Sequence, residues 1–123
     1  MTIIELMKAN LSRVERWHSL ADWSVLEWAG AMCGESGEAA NFAKKLKRVE
    51  TGMANHDKRV GSLRETEDLI LLYRKGVLKE YADTVIYGVL MCARAGATPE
   101  EVQEAIRDVF NAKSIEYGFP ERL

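Results

Sequence analysis

Apolar residues recur at three- and four-residue intervals along most of this chain, and no run alternates apolar and polar β-branched residues as a half-buried strand would. Only two prolines occur, Pro99 and Pro120, so no ring interrupts a helix before residue 99. The pattern predicts an all-α protein, a four-helix-type bundle forming one domain over residues 1–123. Thr2 can cap a first helix bearing Ile3, Met7, Leu11 and Val14 and ending near His18. Ser24 with Glu27 is a capping-box pattern opening a second helix that runs to about Lys47. Ser62 with Glu65 starts a third that ends near Gly96, with Gly76 as a point of kinking or division. Thr98, Pro99 and Glu101 supply cap, ring and box for the fourth, and Gly96 and Gly118 are the stops on either side. Between the second and third helices, Val49 to Gly61 is polar and lacks apolar periodicity, and it reads as a mobile loop. No internal repeat, low-complexity segment or interdomain linker is present.

Seventeen Lys and Arg against nineteen Asp and Glu leave a net charge of −2, which excludes generic binding to nucleic acid or anionic membranes. No segment approaches the length of a membrane span and no basic-then-apolar leader opens the chain, so the expected location is the cytoplasm. Cys33 and Cys92 each sit in a helical apolar pattern without a CxxC, and read as buried free thiols in a reducing compartment.

Carboxylates interrupt two of these stripes. Trp28, Met32, Glu35, Ala39, Phe42 and Leu46 share one face of the second helix, and Glu38 projects beside Glu35 from the next turn. On the third helix Leu69, Tyr73, Gly76, Glu80, Asp83, Tyr87 and Leu90 share a face that carries two further acids, beside a core-type face of Leu78, Ala82, Val85, Ile86 and Val89. Packing these stripes together would confine four carboxylates, and like charges away from water demand a cation. Oxygen-only donors select Mg²⁺, with Mn²⁺ as a substitute. No histidine or cysteine joins them at ligand spacing, which argues against zinc, and the Glu-x-x-His of di-iron bundles is absent. Gly34 and Gly37 beside Glu35 allow close approach of a partner helix or ligand. Glu65, Glu67 and Asp68 surround a helix start, where acids complement the dipole. Lys44, Lys45, Lys47 and Arg48 end the second helix, where cations complement the carbonyl end or meet phosphate; Lys45 is the candidate for substrate. Lys113 continues the stripe Val102, Ile106, Val109 and is expected to point inward. Trp17, Trp23 and Trp28 suit a core or a base-stacking role, and the sequence does not separate the two.

The segments GESGEAANFAKKLKR, LKEYADTVIYGVLMCARAG and FNAKSIEYGFPERL together resemble the MazG-like branch of the all-α NTP pyrophosphohydrolases, over about residues 23 to 123. The family's Glu-x-x-Glu and Glu-x-x-Asp correspond to Glu35, Glu38, Glu80 and Asp83, which in such proteins hold Mg²⁺. The tail with Asn111, Lys113 and Gly118-Phe119-Pro120 looks like the small stand-alone members of phages and bacteria. One departure is the 41 residues between Glu38 and Glu80, longer than the usual family spacing, with the excess in the loop and the start of the third helix. The resemblance implies hydrolysis of a (deoxy)nucleoside triphosphate to the monophosphate and pyrophosphate, as nucleotide-pool house-cleaning, by a homodimer or homotetramer. Glu35 or Glu38 would take the proton of the attacking water, and Tyr87, Asn111 and Lys113 would contact phosphate or sugar. Two other readings compete. His18, His56-Asp57 and Asp83 mimic the residue order of HD-domain phosphohydrolases, and a helical bundle could serve as a non-catalytic nucleotide- or protein-binding regulator.

Overall fold

A computed structural model describes residues 1–123 as four α-helices, α1 (Ile3–Val14), α2 (Val25–Glu50), α3 (Leu63–Arg94) and α4 (Pro99–Tyr117), with a short 3-10 helix at Leu20–Asp22. The all-α expectation therefore holds. No helix is long and apolar enough to cross a membrane.

The caps fall where side-chain chemistry places them. Thr2 and Glu5, Ser24 and Glu27, and Thr98 and Glu101 each exchange two hydrogen bonds between side chain and backbone, satisfying amides that a helix start leaves open. Ser62 accepts from the Glu65 amide at 3.1 Å, but the Glu65 carboxylate reaches back to Gly61 N instead of its own cap. Gly96 and Gly118 close α3 and α4 with φ of 95° and 74°, a conformation that a side chain disfavours. Two boundaries differ from expectation: α1 stops at Val14, before His18, and α2 continues to Glu50, because Val49 is buried and extends the apolar stripe one turn further.

The chain divides into two compact units, residues 1–29 with 88–123, and residues 30–87. In the first, Met7 of α1 packs with Val89 of α3 and Val102 of α4, joined by Ile3, Leu11, Cys92 and Ala97. Trp28 is fully buried there, its indole N–H donating to Leu20 O at 3.0 Å, with Trp23 at 4.6 Å and the His18 ring stacked at 5.4 Å. Of the three tryptophans, Trp28 is a core residue, whereas Trp17 remains 59% exposed.

In the second unit, α2 and α3 meet through the Phe42 ring, which lies against the backbone of Gly76 and 6.5 Å from the Tyr73 ring. Gly76 does not divide α3, which runs unbroken from Leu63 to Arg94. Its missing side chain makes room for the aromatic ring, since a Cβ there would stand 2.6 Å from Phe42 Cδ1. The segment after α2 also has more structure than expected. Met53 pairs with Arg59 across a small hairpin, Ala54 N and Val60 N donate to Lys58 O and Gly52 O, and Met53 N returns to Arg48 O of the helix.

Three apolar expectations are corrected. Leu78 and Ala82, read as core, are exposed, as are Ile106 and Val109 on the stripe that leads to Lys113. Cys33 and Cys92 are free thiols as expected, but Cys33 is exposed and Cys92 half-buried.

Alanine at an exposed helical glycine normally gains about 1 kcal/mol. Gly76→Ala should instead lower unfolding free energy by about 1–3 kcal/mol, because the ring contact overpacks. Gly30→Ala, which meets open space, should show the ordinary gain, and urea denaturation of the two variants compares them directly.

Candidate metal centre

Glu80 is the decisive side chain. The 3.6-residue period places it on the α3 face bearing Gly76 and Tyr73, which packs toward α2, and only 6% of its surface is exposed. Glu35 of α2 is half-buried and Glu38 exposed. One carboxylate oxygen from each of Glu35, Glu38 and Glu80 lies within 4.8 Å of the other two. Three of the four acids singled out from sequence are thus brought together. Asp83 stands one turn beyond Glu80, and its Oδ2 accepts from Lys79 Nζ at 3.0 Å.

Lys79 is the residue that sequence reasoning overlooked. Its ammonium also reaches Glu80 Oε1 at 3.2 Å, so one exposed cation bridges both acids of α3. The i, i+4 spacing of Lys79 and Asp83 was the available signal. These two carboxylates raise the Lys79 pKa and keep it charged. Glu80 Oε2, by contrast, is buried without a hydrogen-bond partner among ordinary donors. Ionised carboxylates only accept, so a neighbouring acid can serve Glu80 only by carrying a proton.

The titration behaviour follows that logic. Glu35 is pushed up to about 7, first by its hydrogen bond to Glu80, then by burial and by the charges of Glu38, Glu80 and Asp83. Glu80 is lowered, chiefly by the same bond to Glu35 and by Lys79. Below about pH 7 the metal-free cluster therefore shares one proton, carried by Glu35 and accepted by Glu80. Burial, followed by the Glu35 and Asp83 charges, raises the half-buried Tyr87 phenol, which sets Tyr87 in the same electrostatic neighbourhood.

The donor set fits a hard divalent cation. A buried oxygen lacking a donor, three converging carboxylates and no histidine or cysteine among them match the oxygen preference of Mg²⁺ or Mn²⁺. Opposite ligands of a Mg²⁺ octahedron stand about 4.2 Å apart, so a 4.8 Å spread closes on such an ion with sub-ångström side-chain movement.

Other candidates lie elsewhere. Lys45 is half-buried in the same unit, its ammonium 5.1 Å from the Phe42 ring centre and 5.9 Å from that of Tyr73, which holds the charge in place. Asn111 and Lys113 belong to the other unit. Asn111 exchanges two hydrogen bonds with Leu123, and Lys113 pairs with Glu116 at 2.8 Å on an exposed face, so its expected inward orientation is corrected. Gly34 and Gly37 face open space within the chain. His56 sits in the hairpin with its Nε2 3.4 Å from Arg48 Nη2, His18 stacks on Trp28 in the other unit, and the cluster of acids is made of carboxylates alone.

Compared with protein-family models, curated proteins and solved structures, the chain finds no match in any of the three.

A raised acid stabilises the fold while it is protonated, and that contribution is lost as pH climbs from its ordinary value of 4.5 through about 7. Melting temperature in EDTA should accordingly fall across this window. Glu35→Gln, whose amide donates to Glu80 at every pH, should flatten the fall, and parallel slopes for the two proteins would contradict the shared proton.

Proposed function

We propose that this protein is a Mg²⁺-dependent nucleoside triphosphate pyrophosphohydrolase of the MazG-like kind, cleaving (d)NTP to (d)NMP and pyrophosphate in nucleotide-pool house-cleaning. The observation that carries the reading is the convergence of Glu35, Glu38 and Glu80 on the buried Oε2 of Glu80, an oxygen that no donor other than a proton shared with a neighbouring acid reaches, at the spacing of the motif. A structural role gives little reason to gather these acids, since burying a carboxylate against other carboxylates is costly and an apolar residue would pack there without that cost.

In this reading Glu35, Glu38, Glu80 and Asp83 hold the metal, with Lys79 as the counter-charge that shares Glu80 and Asp83 in its absence. Bound Mg²⁺ would neutralise phosphate charge and polarise the anhydride. Glu35 or Glu38, through an oxygen that the metal leaves free, would accept the proton of the attacking water. Lys45, fixed over two aromatic rings, presents its charge to a phosphate two turns along α2 from Glu38, and Tyr87 supplies a hydroxyl beside the acids.

Oligomerisation belongs to the same proposal. Leu71 and Leu78 are 62% and 58% exposed on the side of α3 opposite Glu80, and α4 exposes Val109, Ile115 and Tyr117. Apolar surface of this extent on helix faces suits a second copy of the chain. Light scattering should give a dimer or tetramer, shifted toward monomer by Leu78→Glu.

With Mg²⁺, purified protein should release pyrophosphate from deoxynucleoside triphosphates. Release of inorganic phosphate and a diphosphate would place the cut at another bond and overturn the reading. Glu38→Gln and Asp83→Asn should each lower turnover by about a hundredfold or more. Both metal-free variants should melt at or above the parent temperature, because removing one clustered carboxylate relieves repulsion.

A further inference from the structure

Seven of the seventeen lysines and arginines fall between residues 44 and 64, against only Glu50 and Asp57. This stretch carries +5 while the rest of the chain carries −7. None of the seven forms an ion pair, whereas Lys8, Lys79, Arg107 and Lys113 elsewhere each hold a carboxylate within 3.2 Å. The stretch is also a built element. Thr51 Oγ1 and Met53 N donate to Arg48 O, Gly52 turns the chain with φ of 84°, and Asp57 N closes the tip on Asn55 Oδ1 at 2.9 Å. His56 Nε2 lies 3.4 Å from Arg48 Nη2, where a neutral imidazole accepts from the guanidinium and restrains it. Met53, Ala54 and Val60 are half-buried, while Lys58 and Arg59 at the far side of the turn are exposed.

We propose that the last turn of α2 and the hairpin that follows it bind a short linear polyphosphate, free or as the phosphate chain of a nucleotide, through Arg48, Lys58 and Arg59. Unpaired cations on a hydrogen-bonded turn lose little freedom on binding, and guanidinium groups match phosphate oxygens in pairs. The size of the ligand follows from screening. A compact polyphosphate lies within one Debye length, about 8 Å, of the patch, whereas an extended nucleic acid would also run along surface carrying the balance of negative charge. The site differs from the carboxylate cluster, since it attracts the anion directly and needs no metal.

Calorimetry with inorganic tripolyphosphate, after removal of divalent ions, tests this independently of the proposed hydrolysis. Wild-type protein should bind, more weakly as salt is raised, and Glu80→Gln should bind as well as wild type. The double variant Lys58→Glu/Arg59→Glu should lose about tenfold or more in affinity, as expected when charged hydrogen bonds are removed, with an unchanged melting curve showing that it folds. Tighter binding of ATP than of tripolyphosphate would identify a nucleotide as the natural source, and equal binding a free polyphosphate. Absence of tripolyphosphate binding, equal affinity in the double variant, or binding confined to a single-stranded oligonucleotide would each overturn the proposal. Failure of the metal reading would appear separately, as no pyrophosphate release with Mg²⁺.

Discussion

Carboxylates held among apolar side chains are the constraint on which the second unit turns. Glu80 lies on the α3 face that receives the Phe42 ring at Gly76, so the contact joining the two helices also removes this acid from water. Its charge cannot be screened there as it would be on an outer face. The geometry answers with Lys79, which folds along the helix to both Glu80 and Asp83, and the crowding of the acids pushes the Glu35 carboxyl up to about 7. A divalent ion would take over the role of the proton and of much of the Lys79 charge, and binding would be linked to pH through the loss of that proton.

The helices differ in how completely they are covered. Met7, Val89 and Val102 form a small dry core, and Trp28 is enclosed, yet Leu71, Leu78, Ile106 and Val109 stay open to solvent. Scattered apolar exposure needs no explanation, but α3 sets Leu71 and Leu78 on one side, with Arg74 and Lys75 between them, and α4 sets Ile106, Val109 and Phe110 together. On α3 the exposed apolar face and the acid-bearing face lie on opposite sides of one helix, so a partner covering the former leaves the latter open to a ligand. The basic turn after α2 adds a third kind of surface.

Local chemistry made the helices readable in advance. Cap residues, Pro99 and the glycines at 96 and 118 act over three or four residues, so their hydrogen bonds and backbone angles follow from the sequence alone. The same period put Glu35, Glu38 and Glu80 on faces that could meet, and they do. Which apolar stripes would be covered was not readable, because amphipathic periodicity reports that a face seeks a partner without saying whether that partner lies in the same chain; hence Leu78, Val109 and the inward orientation of Lys113 were misjudged. Gly76 was misread for a related reason: a glycine that weakens a helix and one that admits a ring look alike until Phe42 is in place. The hairpin was missed because its order comes from bonds back to the end of α2, which no periodicity announces. Secondary structure and the identity of the acids thus belong to the sequence, where short-range hydrogen bonding and the helical period decide. The burial of Glu80 and the raised Glu35 carboxyl beside it belong to tertiary structure, because desolvation depends on what two helices exclude together.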